Sequence, residues 1–189
     1  MQPRTQLITG GVRSGKSFYA EQQATAAAGP TGRVSYLAPM PANRVDPTGE
    51  DADWAARIAA HRARRPGSWT TIETTDLAAA LAEGEEPMLI DCLGTWVTAV
   101  IDELGGWDEP LQEWKGTFDQ RLQAVISGWQ RTTRTVIAVS NEVGWGVVPA
   151  YRSGRVFADL LGEVNRTVAA ASDRLVLMVA GRPMLIPDR

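Results

Sequence analysis

The sequence predicts an α/β protein, a mainly parallel sheet flanked by helices, built as a single domain over residues 1–189. Three observations carry that expectation. Short apolar and β-branched runs recur at Leu7–Thr9, Val34–Ala38, Met88–Asp91, Thr135–Ser140 and Leu175–Val179. Longer helix-permissive stretches separate them, as βαβ units require. A glycine-rich turn follows the first run directly.

The runs are almost wholly apolar rather than alternating, which suits strands covered on both faces. Between them, the clearest helix is Val156–Ala171, with Val156, Phe157, Leu160, Leu161, Val164 and Val168 at helical spacing. "GGWDEP" at 105–110 predicts a turn into a helix with Trp114 and Phe118 on one side. "PMPANRVDPTGE" at 39–50 predicts a loop, and Asp53–Arg65, ending at Pro66, a helix. Hydrophobic content of 44% and charged content of 22% are ordinary for a globular chain. A net charge of −3 argues against a nucleic-acid-binding surface. No apolar run approaches the roughly 20 residues of a membrane helix, and the N-terminal residues lead straight into the glycine-rich turn without the pattern of a signal peptide. The single cysteine, Cys92, excludes an internal disulfide and a multi-thiolate zinc site. A reducing cytoplasmic setting is therefore expected.

The glycine-rich turn carries the sharpest chemistry. Gly10, Gly11, Val12, Arg13, Ser14, Gly15, Lys16 and Ser17 spell GGVRSGKS, which satisfies G-x-x-x-x-G-K-[ST] between a strand and a helix. Such a loop turns its backbone N–H groups onto phosphate oxygens, helped by the positive end of the helix. Lys16 would reach the β- and γ-phosphates, and the Ser17 hydroxyl would ligate Mg2+. Asp91, ending the "PMLID" run, is a second candidate metal ligand, with a capping role as the alternative.

"RIAAHRARRP" at 57–66 holds the only histidine, His61, among four arginines. Arg57, His61 and Arg65 are spaced four apart, and Arg62 is adjacent. Neighbouring cations favour the neutral imidazole, which is a nucleophile, while guanidinium groups grip phosphate. The same spacing also suits a solvated basic face with a half-buried histidine.

The loop, "LIDCLGTWVT" (89–98), "SNEVGWGVVPAYRSGRVFADLLGEVNR" (140–166), "AAASDRLVLMVAG" (169–181) and the histidine segment together resemble the bifunctional adenosylcobinamide kinase / adenosylcobinamide-phosphate guanylyltransferase family. The resemblance implies a P-loop, RecA-like nucleotide-binding fold, a homotrimer, a corrinoid substrate and both ATP and GTP as nucleotide substrates. It further implies phosphorylation of adenosylcobinamide and then transfer of GMP through a guanylyl-histidine at His61. Glu142, past a strand's C-terminal end, is either a metal or acceptor-hydroxyl partner or a turn residue. A single-activity enzyme of the same pathway and a non-catalytic nucleotide-binding regulator are the competing expectations.

Overall fold

In the computed structural model, residues 3–39, Ala56, Ala59 and 62–187 are described. The expected 39–50 loop, beyond Pro39, and most of the 53–65 helix, Arg57 and His61 included, lie outside them. Ala56, Ala59 and residues 62–64 are helical.

The described strands form one seven-stranded sheet in the order β3-β2-β4-β5-β1-β6-β7. Here β1 is Thr5–Gly10, β2 Ser35–Ala38, β3 Thr70–Glu73, β4 Met88–Asp91, β5 Val136–Val139, β6 Arg174–Val179 and β7 Arg182–Ile186. All neighbours pair in parallel except β6 and β7, a hairpin that adds one antiparallel edge strand. All five expected runs are strands, and the α/β architecture is the one expected.

The apolar runs divide by alternation, as the two-residue period of a strand demands. Leu7, Leu37, Met88, Ile90, Val136 and Ala138 join one core with Phe118 and Trp129. Ile8, Tyr36, Leu89, Ile137, Val139 and Met178 face the other way, onto Ala20, Ala24 and Ala28. These three alanines lie one turn apart on α1 (Lys16–Ala28) and are buried. Their small side chains let α1 lie close on β1, β4 and β5.

The opposite face carries α2 (Leu77–Ala82), α3 (Leu93–Glu103), α4 (Leu111–Arg131) and α5 (Arg152–Ala170). The "GGWDEP" turn leads into α4, whose Trp114, Phe118, Leu122, Val125 and Trp129 form a buried stripe. Phe118 sits between Trp96 and Trp114, with ring centroids 5.8 and 6.4 Å away. Helix α5 begins at Arg152, a turn before the expected Val156, because its first turn is polar and carries no apolar stripe. From Val156 onward the expected residues are buried, with Phe157 partly so.

Every strand that ends next to a candidate site residue does so on the same edge of the sheet. Parallel pairing brings the C-terminal ends of β1, β5 and β4 side by side, the usual location of ligand sites in such folds.

Phe118 is fully buried between two tryptophans, so Phe118→Ala should destabilise the protein by about 3–5 kcal/mol. Urea unfolding should show this as a lower midpoint with little change in slope.

Candidate active site

The phosphate loop begins where β1 leaves the sheet. Gly10 has φ +150°, and a Cβ there would stand 2.5 Å from the Met178 carbonyl oxygen and 2.9 Å from Ser14 Oγ. Only glycine fits both the conformation and the space. Gly15, at φ +94°, is the N-cap of α1, so the chain enters the helix without a capping side chain. A Cβ on Gly15 would meet Gly181 Cα at 3.3 Å. The loop is thus seated on the β6–β7 turn, whose Gly181 N–H donates to Ser14 O at 2.9 Å.

Within the loop, Ser14 N–H donates to Gly11 O at 3.2 Å, and Lys16 Nζ donates to the same carbonyl at 2.7 Å. The Lys16 ammonium therefore spans the loop, although only 7% of the residue is exposed. Ser17 is half-buried in the first turn of α1, while Gly11, Val12 and Arg13 are exposed. Arg13 is held at φ +56°. These exposed positions line up backbone and side-chain donors at the positive end of α1.

Strand β5, between β1 and β4, brings in Glu142. Its N–H donates to Gly10 O at 3.0 Å, and the Thr9 hydroxyl donates to its carboxylate Oε1. The Ser140 hydroxyl donates to Asn165 Oδ1 at 2.5 Å, and Asn165 Nδ2 donates to Asn141 O at 2.9 Å. The buried Asn165 of α5 thereby fixes the two residues preceding Glu142. Glu142, expected past a strand's C-terminal end, stands beside the phosphate loop, and only its partner Thr9, 133 residues away, had no local sequence signal.

Asp91, at the end of β4, accepts from the Tyr36 hydroxyl at 3.2 Å. Burial, with the Asp91 carboxylate beside it, pushes the Tyr36 phenol far above its usual pKa. The phenol is a proton donor at any working pH. Burial, with Asp91 next in line, likewise raises the neighbouring Cys92 thiol and holds it protonated.

The basic segment is engaged by the protein itself. Arg62 pairs with Glu73 of β3 at 3.2 Å. Arg64 Nε and Nη2 grip Glu21 of α1 at 3.1 and 3.0 Å. Arg65 Cζ lies 3.8 Å over the Tyr36 ring, and its Nη1 donates to Thr71 Oγ1 at 3.0 Å. Thr9, Tyr36 and Glu21 are the residues that the sequence did not single out. Each sits in a regular element with no motif of its own, and only the folded neighbourhood marks it.

A serine hydroxyl and aspartate and glutamate carboxylates are hard oxygen donors that suit Mg2+ with bound phosphates. Among the described residues, no group of three or more His, Cys, Asp and Glu could hold a metal by itself.

Fold and loop define a P-loop nucleotide-binding α/β enzyme. The family model described as "Cobinamide kinase / cobinamide phosphate guanyltransferase" matches residues 6–186, and the chain belongs to that family. It is 37% identical over 185 residues to the "Bifunctional adenosylcobalamin biosynthesis protein CobU" of Salmonella typhimurium, covering 93% of this chain and 95% of that protein. The protein of the same name from Escherichia coli is 36% identical over 184 residues, with the same coverage. The "Bifunctional adenosylcobalamin biosynthesis protein CobP" of Pseudomonas aeruginosa is 38% identical over 182 residues, 94% of each chain.

Replacing Gly10 by alanine drives a methyl group into the Met178 carbonyl and forces an unfavourable φ. Gly10→Ala should weaken nucleotide binding at least about tenfold by calorimetry, the equivalent of about 1.4 kcal/mol. It should also lower the melting temperature, because the same contact seats the loop on β6.

Proposed function

We propose that this chain performs both reactions of its family and divides them between two sets of residues. The kinase step, phosphorylation of the adenosylcobinamide hydroxyl by ATP or GTP, falls to Lys16, Ser17, Asp91 and Glu142. The guanylyl step falls to His61, with Arg57, Arg62 and Arg65 around it. The observation that carries the reading is the convergence of phosphate loop, Glu142 and Asp91 on one sheet edge, tied by the Thr9–Glu142 hydrogen bond.

In the kinase step, the acceptor oxygen forms a bond to the γ-phosphorus while the bond to the β–γ bridging oxygen breaks. Backbone N–H groups from Gly10 to Ser17, with the Lys16 ammonium, hold the phosphates and neutralise charge on the leaving nucleotide. Thr9 occupies Oε1 of Glu142, so that Oε2 is the oxygen that takes the hydroxyl proton. Ser17 and Asp91 hold Mg2+, which withdraws charge from the phosphate oxygens when bound. Tyr36 keeps the Asp91 carboxylate oriented for that role.

In the guanylyl step, a neutral His61 nitrogen attacks the α-phosphorus of GTP. The α–β bridging bond breaks and pyrophosphate leaves, while the other ring nitrogen keeps its proton, so that the histidine can depart again as a neutral imidazole. An oxygen of the cobinamide phosphate then displaces the histidine, giving adenosylcobinamide-GDP and restoring His61. The reading includes a cytoplasmic setting, in which the lone Cys92 stays reduced. It also includes a homotrimer, for which the exposed Trp145, Val147, Val148 and Tyr151 offer apolar contact surface.

Incubation with α-labelled GTP and Mg2+ should leave acid-labile label on the wild-type protein and none on His61→Ala. Label that persists in His61→Ala, or no label on the wild type, overturns the covalent step. Lys16→Ala should lower formation of adenosylcobinamide phosphate by about a hundredfold or more. Two successive displacements also predict overall retention of configuration at the α-phosphorus. Inversion, read with GTP made chiral at that centre, would mean a single direct transfer.

A further inference from the structure

Helix α1 opens at the phosphate loop and buries a carboxylate one turn further on. Glu21 is only 9% exposed. A carboxylate withdrawn from water in this way needs a hydrogen-bonded cation as partner. Arg64 is that partner, and it takes both oxygens at once, Nε to Oε2 at 3.1 Å and Nη2 to Oε1 at 3.0 Å. The two-pronged grip defines the direction of the guanidinium as well as its distance. The Glu21 hydrogen bonds raise the Arg64 pKa further above its ordinary value, so the guanidinium stays ionised at any working pH.

Arg64 follows His61 by three residues and belongs to the helical 62–64 segment. The next residue has a separate anchor, since the Arg65 guanidinium lies 3.8 Å over the ring of the buried Tyr36 on β2. Two successive side chains therefore bind two different elements, the helix that starts at the phosphate loop and the strand beside β4. Two non-equivalent anchors restrict both the position and the rotation of a short segment.

We propose that Glu21 is a positioning residue for guanylyl transfer, acting through Arg64 to register the segment that carries the guanylyl-accepting histidine against the phosphate-loop helix. The proposal rests on the assignment of His61 above. Glu21 is one turn beyond the loop and makes no contact with phosphate in this role. Its effect therefore falls on the step that uses the histidine, while phosphate transfer to the corrinoid hydroxyl continues.

The experiment measures the two reactions separately in full-length protein: the single-turnover rate of α-label incorporation from GTP, and steady-state kinase kcat and KM. Glu21→Gln keeps a hydrogen-bonding side chain without the charge, and Arg64→Lys keeps the charge without the fork. Each should slow α-label incorporation by about a hundredfold, with kinase kcat and KM within about twofold of wild type. The double variant should be no slower than the worse single, since both changes remove one interaction. Reversing the pair, Glu21→Arg with Arg64→Glu, should recover at least about tenfold of the lost labelling rate.

Wild-type labelling in both single variants overturns the proposal. So does a parallel loss of both activities with a lowered melting temperature, which would assign the pair to the stability of α1. If His61→Ala is still labelled, the assignment of the histidine fails instead, and that result is separable because it is read in a variant with Glu21 and Arg64 intact.

Discussion

Strand β1 has to end on a residue with no side chain. The Met178 carbonyl of β6 and the Ser14 hydroxyl occupy the space where a Cβ would stand, and the backbone leaves the sheet at φ +150°. That close approach has three consequences. It turns the chain sharply enough for Gly11–Gly15 to wrap at the head of α1. It lets Gly10 O accept from Glu142, which joins the loop to the end of β5. It also presses the loop onto the β6–β7 turn, where Gly181 completes a hydrogen bond to Ser14. The candidate site is therefore supported from both neighbouring strands.

The rest of the sheet serves this edge through differences in side-chain volume. Alanines on α1 bring that helix close to the strands, and because it starts directly after Gly15 its N-terminal dipole end lies at the loop. The opposite face is filled with large groups, Trp96, Phe118 and Trp129 among them, which hold α3 and α4 against the sheet. Helix α5 contributes both to the core, through its apolar stripe, and to the site, through Asn165 and its bonds to Ser140 and Asn141. One buried polar residue on an otherwise apolar face thus fixes the backbone that leads to Glu142.

The legible elements were those whose signal is local. Strands β1, β2, β4, β5 and β6 are apolar runs, and the phosphate loop is a contiguous pattern, so both showed in the sequence. Strand β3, "TTIE", is an exposed edge with only Ile72 partly covered, and β7 contains Pro183 and largely exposed residues. Neither has the apolar run that marks a central strand; both exist because a neighbour offers an unpaired edge. The same division holds at the site. Lys16 and Ser17 were readable from spacing, whereas the partners of Glu142, Asp91 and Arg64 lie 133, 55 and 43 residues away. Pairings over such separations are products of the sheet order, which one sequence does not display.

The arginines after His61 also cease to be equivalent once their partners are known. In the sequence they form one basic cluster, and a common role in holding phosphate is the economical reading. Their surroundings sort them by how readily each partner can be exchanged. Arg62 and Glu73 are both substantially solvent-exposed, and an ion pair of that kind contributes less than about 1 kcal/mol. A triphosphate carrying several charges can displace Glu73 at small cost. Arg65 is held twice, by its face on the Tyr36 ring and by the hydrogen bond from its Nη1 to Thr71. Arg64 is different, because releasing it would leave Glu21 charged and buried. Under the proposed reading, the cluster therefore contains one readily exchangeable phosphate ligand, Arg62, and two anchors, Arg64 and Arg65. Arg64 is the firmer of the two because its charge has a buried counter-charge, and that distinction depends on depth rather than on sequence spacing.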